Sequence, residues 1–180
     1  DFMAERGVVF CGSFAVNELN HELRKKRIPG ITGPAELVVL SKEPKDVAQD
    51  VKRRLTADRI KADVEHFEEI GEIVPEHYVI RADGDVVAIV FKAIECHAMN
   101  LVEINKNIYR IASIDTLLTL FMPFLFISSP VIDYDMVVCY CNDLGRIADE
   151  CNPAMRGVLA RFDTPCYGNQ TTLADIRRAK

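Results

Sequence analysis

The hydrophobic period changes abruptly across Cys11-Gly12-Ser13. Before it, Gly7-Val8-Val9-Phe10 is a short apolar run; after it, Phe14, Ala15, Leu19 and Leu23 recur at helical spacing up to the basic run Arg24-Lys25-Lys26-Arg27. A strand that turns through glycine into an amphipathic helix commits the chain to an α/β arrangement. The strand needs a sheet, and the helix must lay its apolar stripe on one. The turn also has a chemical consequence. The first N–H groups of a helix lack intrahelical partners and the positive end of the macrodipole lies there, so a phosphate is well placed at Gly12 and Ser13. Many such turns serve packing alone, so this feature by itself does not decide function.

Further elements follow from the same reading. After a loop punctuated by Pro29-Gly30 and Gly33-Pro34, Glu36 to Ser41 is a β-rich run stopped by Pro44. Pro44 suits a first helical turn, and Val47, Ala48, Val51 and Leu55 supply the apolar stripe of that helix. From Lys61 the period becomes two, with Ala62, Val64 and His66 alternating with charged neighbours. Tyr78 to Ile80 and Val86 to Phe91 flank the turn Ala82-Asp83-Gly84-Asp85, and a second hairpin folds about Asn105-Lys106-Asn107. Ser113-Ile114-Asp115 caps an apolar helix. Asp133 to Glu150 reads as another, with Met136, Val137, Tyr140, Leu144 and Ile147 on one face. The expected class is α/β (α+β), a mixed or antiparallel sheet with flanking helices followed by a helical part. Residues 1–112 form the α/β domain and residues 113–180 a helical part packed on it, with one continuous domain as the alternative.

Composition narrows the function classes. The 180 residues are one domain's worth, and 49% are apolar, enough for a core. Lys+Arg 22 against Asp+Glu 27 gives a net charge of −5, which excludes a generally basic nucleic-acid coat while leaving room for a local basic face. The most apolar stretch, Ile111 to Val131, is broken by Asp115, Pro123, Ser128, Ser129 and Pro130. Its runs fall short of the ~18 residues of a membrane span, so a soluble protein is expected. The chain opens on Asp-Phe without a basic-then-apolar leader, which reads as a processed or partial chain without a secretory signal. Six cysteines (11, 96, 139, 141, 151 and 166) are too sparse for a disulfide-stapled scaffold and are expected to be reduced and unmetallated. Cys139-x-Cys141 fits zinc spacing poorly, and on a helix its two side chains diverge.

In nucleotidyltransferases of the DNA polymerase β type, a Gly-Ser turn of this kind is followed by a strand with two carboxylates two residues apart. The pleat puts both on one face, where they hold divalent ions. Here that strand reads Glu36-Leu37-Val38-Val39-Leu40-Ser41. Six segments, in order, resemble the catalytic subunits of poly(A) polymerases of large cytoplasmic (giant) DNA viruses, which share the polymerase β-like fold. Val9 to Ala15 is similar to that family's Phe-Gly-Gly turn, and Glu36 to Pro44 to its acid-x-acid-Val-Leu-Ser-x-Asp-Pro strand. Lys52-Arg53-Arg54-Leu55 resembles its Lys-Glu-Arg-Leu helix end, and Cys96-His97-Ala98-Met99-Asn100 its Cys-His-Ser-Tyr-Asn segment. Arg110 to Leu118 resembles its Ile-Ala-Thr-Ile-Asp-Thr-Met-Leu, and Cys166 to Leu173 its Cys-Tyr-Gly-x-Gln-x-Thr-Leu. The resemblance implies template-independent addition of AMP from ATP to RNA 3′ ends with Mg or Mn. Gly12 and Ser13 would hold the triphosphate and Glu36 a metal. It implies ATP and RNA as partners, a homo-oligomer or another viral subunit, no membrane, and a place in the cytoplasm of an infected cell or in the virion.

The departure from the family pattern matters as much. The second acid falls on Val38, which cannot ligate a cation. For a third acid the nearest candidates are Asp85, equally well a hairpin-turn residue, and Glu95. Two readings follow: a polymerase-like nucleotidyltransferase domain with an incomplete acid pair, or an inactive relative with a structural, RNA-binding or subunit-binding role. Val38 predicts that the chain alone transfers adenylate at a negligible rate. The basic runs Arg24-Lys25-Lys26-Arg27, Lys52-Arg53-Arg54 and Arg177-Arg178-Ala179-Lys180 either line an RNA path or are helix-end cations. His97 and Asn100 read as hydrogen-bonding structural residues of a turn, and Asp115 as a helix-start acid.

Overall fold

The apolar run before Gly12 becomes β1 (Val9–Phe10), a two-residue strand inside an eight-stranded sheet. The computed structural model describes residues 2–24, 36–151, 155–161, 164–168 and 177–178. Its other strands are β2 (Leu37–Ser41), β3 (Ala62–Phe67), β4 (His77–Ala82), β5 (Asp85–Lys92), β6 (His97–Ile104), β7 (Asn107–Ala112) and β8 (Cys166–Tyr167). They lie in the order β3-β4-β5-β2-β1-β7-β6-β8. The pair β2/β5 and the pair β1/β7 are parallel, and the remaining pairs are antiparallel. The sheet is mixed, one of the two arrangements expected, and the stretches around Val9, Val38 and Ile89 share it.

Both faces are covered, so the central strands are apolar throughout rather than alternating. On one face Val9, Cys11, Val38, Leu40, Ile89 and Phe91 pack under α2 (Gly12–Arg24), α4 (Ile114–Phe121) and α5 (Tyr134–Glu150). On the other, Val8, Phe10, Val39, Ile80, Ala88 and Val90 meet α1 (Phe2–Glu5) and α3 (Pro44–Ala57). Each fully buried Leu or Ile contributes about 1.5–3 kcal/mol, and this double layer is what holds the short β1 in place. The α4 and α5 helices begin on side-chain caps. Ser113 Oγ accepts from the Thr116 amide at 3.3 Å, and Asp133 Oδ1 from the Met136 amide at 2.9 Å.

Among the described residues past 113, packing and pairing both reach the sheet. α4 and α5 share one core with β1, β2 and α2, and β8 pairs with β6, so this stretch supplies a strand as well as helices. The segment Cys96 to Asn100, read above as a turn, instead runs into β6. Asn100 is buried there and donates from Nδ2 to the carbonyls of Val158 (2.9 Å) and Ala160 (3.1 Å), far along the chain rather than within its own turn. The expectation of six free thiols is overturned. Cys96 and Cys166 form a disulfide with Cα atoms 5.3 Å apart, because the β6/β8 pairing brings their backbones together across 70 residues of sequence. Cys11, Cys139, Cys141 and Cys151 are free thiols. Among the described residues no helix is long and apolar enough to cross a membrane.

Candidate functional site

β1 runs antiparallel to β2, so the turn at its C-terminal end lies beside the N-terminal end of β2. The Cys11 amide donates to the Val38 carbonyl at 2.8 Å, which carries the pairing one residue past β1 and delivers the chain into α2. Gly12 has φ +58°, and a Cβ built on it would lie 2.9 Å from both Cβ and Cγ2 of Val38. A glycine is required there twice over, by its backbone and by the valine against it.

Ser13 is 5% exposed, and Tyr140, from the middle of α5 and 3% exposed, brings its phenol close to the Ser13 hydroxyl. The N-terminus of α2 is therefore roofed by a phenol. Burial raises the Tyr140 hydroxyl above its ordinary range; the nearby Ser13 hydroxyl opposes this and the charge of Glu36 adds to it. Glu36 directly precedes β2 and is half-buried, and its Oε2 is buried without a hydrogen-bond partner. Burial raises its carboxyl above the usual range, and the Asp133 carboxylate at the start of α5 raises it further. The site thus gathers Gly12, Ser13, Glu36, Asp133 and Tyr140 at one end of the sheet.

The position two residues beyond Glu36 holds Val38, 3% exposed and pressed on Gly12. Its methyl groups occupy the place a paired-carboxylate site gives to its second ligand, and methyl carbons do not coordinate a cation. On the neighbouring strand, Ile89 lies beside Val38, and a bulge opposite Ile80/Arg81 brings Val86 to the same core. Among the described residues no group of three or more His, Cys, Asp or Glu side chains could hold a metal ion. Among the described residues, the acids near Gly12 do not make up a two-cation set.

The other sequence-derived candidates lie elsewhere. Asp85 opens β5 opposite Ala82, in a hairpin whose Asp83 and Gly84 take φ 51° and 100°. Glu95 lies three residues past the far end of β5, and that end is roughly 17 Å along the strand from the level of Glu36. Its charge bears on His97, whose Nε2 is buried without a partner. Lys52, Arg53 and Arg54 belong to α3, on the opposite face of the sheet from Val38 and Ser13, and Arg53 pairs with Asp50. Lys25, Lys26, Arg27 and the side chain of Arg24 lie outside the described residues. Asp115 is in the first turn of α4, as expected, and it also accepts from Arg161 through both oxygens, with Nε at 3.1 Å. Sequence reasoning missed Asp133 and Tyr140 as site residues. Tyr140 shows as a member of the α5 apolar stripe, but nothing in its spacing says that its hydroxyl reaches Ser13 across more than a hundred residues.

No family model matches the chain, and no curated protein matches it in sequence. Among solved structures it is similar to the Megavirus polyadenylate synthase, with a TM-score of 0.75 and 16% sequence identity, over 99% of this chain and 39% of that one. The chain thus spans about two fifths of the length of that protein. The likeness is one of fold: this chain shares its eight-stranded mixed sheet and flanking helices with that polyadenylate synthase.

Proposed function

We propose that this chain is a poly(A) polymerase-like nucleotidyltransferase domain whose acid set is incomplete. The Gly12-Ser13 turn meets the triphosphate of ATP, and an RNA 3′ end is the acceptor in the parent chemistry. The chain alone transfers adenylate negligibly. The observation that carries this reading is the juxtaposition of the turn with Glu36 and Val38 at one end of β2, in a chain 99% of which matches the fold of a polyadenylate synthase. One carboxylate remains where paired acids align the reacting oxygens in a two-cation mechanism, and a displacement of about 1 Å in such an arrangement can cost ~10²-fold in rate. What the chain's own residues do is bind and exclude. The α2 N-terminus offers N–H groups and the Ser13 hydroxyl to an anion, and the Tyr140 hydroxyl beside Ser13 must give way before a phosphate can enter.

That order of events is testable by equilibrium binding of ATP to the intact chain. Tyr140→Phe removes the competing hydroxyl while keeping the ring that packs against Phe121 at 5.2 Å, so ATP binding tightens several-fold. Ser13→Ala removes the gain. Equal affinity for ATP in all three proteins contradicts a phosphate role for the turn.

A further inference from the structure

The connection between β3 and β4 reads Glu68-Glu69-Ile70-Gly71-Glu72-Ile73. Three carboxylates and two isoleucines occur in six residues without a cation. It is a built turn. Ile70 and Val74 form a bridge, the Ile70 amide donates to the Val74 carbonyl at 2.9 Å, and Val74 is anchored in the core at 1% exposure. Yet Ile70 is 50% and Ile73 60% exposed. Lys92, which feels both Glu68 and Glu69, is committed to Glu76 at 2.7 Å. An ordered acidic turn that holds two isoleucines in water repels nucleic acid and suits an apolar groove with a cationic rim.

The molecule carries such a groove. Between α1 and the C-terminal half of α3, Phe2 and Ala57 line a hollow of about 340 Å³ rimmed by Arg53 and Arg54. The Arg54 guanidinium lies 3.7 Å above the Phe2 ring. The carboxylate in the lining, Asp50, is already paired with Arg6 at 2.8 Å and with Arg53, so the rim is net cationic.

The two surfaces cannot meet within one chain. β3 runs from Ala62, level with the start of β5, to Phe67, level with its end, and the acidic turn continues from there. α3 returns from the end of β2, which is parallel to β5, so its C-terminal half and the groove lie back at the start of β5, about 20 Å away. We propose that the occupant of the groove is the Ile70–Ile73 turn of a second copy of this chain. Copies then associate head to tail, with Glu69 and Glu72 against Arg53 and Arg54, and Ile70 and Ile73 against Ala57 and the part of Phe2 that Arg54 leaves open. Such a contact is heterologous, so it builds open chains or rings rather than a closed twofold pair. It lies on the α3 side of the sheet and leaves the Gly12 turn free.

The test is mass by sedimentation and light scattering as a function of protein concentration and salt, with circular dichroism confirming that each variant is folded. The wild-type chain shows mass rising above 20.3 kDa with concentration at low salt. The rise is lost toward 1 M salt, where the screening length falls to ~3 Å. Glu69→Arg/Glu72→Arg and Arg53→Glu/Arg54→Glu each stay monomeric alone, and an equimolar mixture of the two regains the wild-type mass, because every turn then meets a groove of opposite sign. A wild-type chain that stays monomeric at low salt overturns the proposal. So does association that survives the charge reversals, or a mixture that fails to recover. Oligoadenylate binding that is lost in Arg53→Glu/Arg54→Glu, without association of copies, assigns those guanidinium groups to phosphate and overturns it too.

Discussion

Val38 and Gly12 hold each other's identities. A side chain at position 12 meets Val38 at 2.9 Å and must adopt φ +58°, so Gly12→Ala combines a left-handed penalty with overpacking, together roughly 2–4 kcal/mol. Urea unfolding measures this. Val38→Ala in the Gly12→Ala background removes the Cγ2 contact and leaves the Cβ one, so it recovers on the order of 1 kcal/mol as a non-additive coupling, whereas strictly additive losses contradict the packing described. Glu36 gives a pH signature. Its carboxyl is raised in the folded state, so the native chain holds the proton more tightly than the unfolded one, and stability falls as pH rises from the unfolded value through the folded one. Glu36→Gln therefore melts higher than wild type at neutral pH, and the gap closes as pH drops toward about 4, the ordinary range of a free glutamate. A gap that grows on acidification reverses the assigned sign. Glu36 and Val38 were legible in the sequence because the strand period fixes their common face, whereas the Asp133 and Tyr140 contacts depend on how α5 is docked, which no local pattern encodes.

At the scale of elements, the hairpins and the helix starts at Ser113 and Asp133 follow from period and capping chemistry, whereas the parallel pairing of β2 with β5 is set by the tertiary fold. β8 does not, since two residues show no period and its pairing with β6 is sealed by Cys96 and Cys166 across 70 residues. The β5 bulge was equally invisible, and it helps explain why β5 offers an apolar side chain where a third acid would be sought. Asn100 shows how a long-range contact holds an irregular segment, because its two bonds tie the single turn Gly157–Leu159 to β6. Asn100→Ala leaves two carbonyls without that donor and costs about 1–3 kcal/mol, and Asn100→Asp costs more, since a carboxylate then faces them. Hydrogen exchange reads the consequence as faster exchange of the Ala160 amide, which donates to the Gly157 carbonyl at 3.2 Å; unchanged protection there contradicts the tie.

For the whole molecule, a sheet covered on both faces has the fold of a polyadenylate synthase over 99% of this chain. At the end of the sheet where the proposed chemistry would sit, Val38 packs against Gly12 and Tyr140 lies beside Ser13. The measurement that separates fold from activity most directly is incorporation of labelled ATP into an RNA primer by the isolated chain, with Mg²⁺ or Mn²⁺, alongside Glu36→Ala. The account predicts incorporation no greater than in a reaction without protein, and no difference between the two chains. Robust metal-dependent tailing by the wild-type chain, abolished in Glu36→Ala, would contradict it.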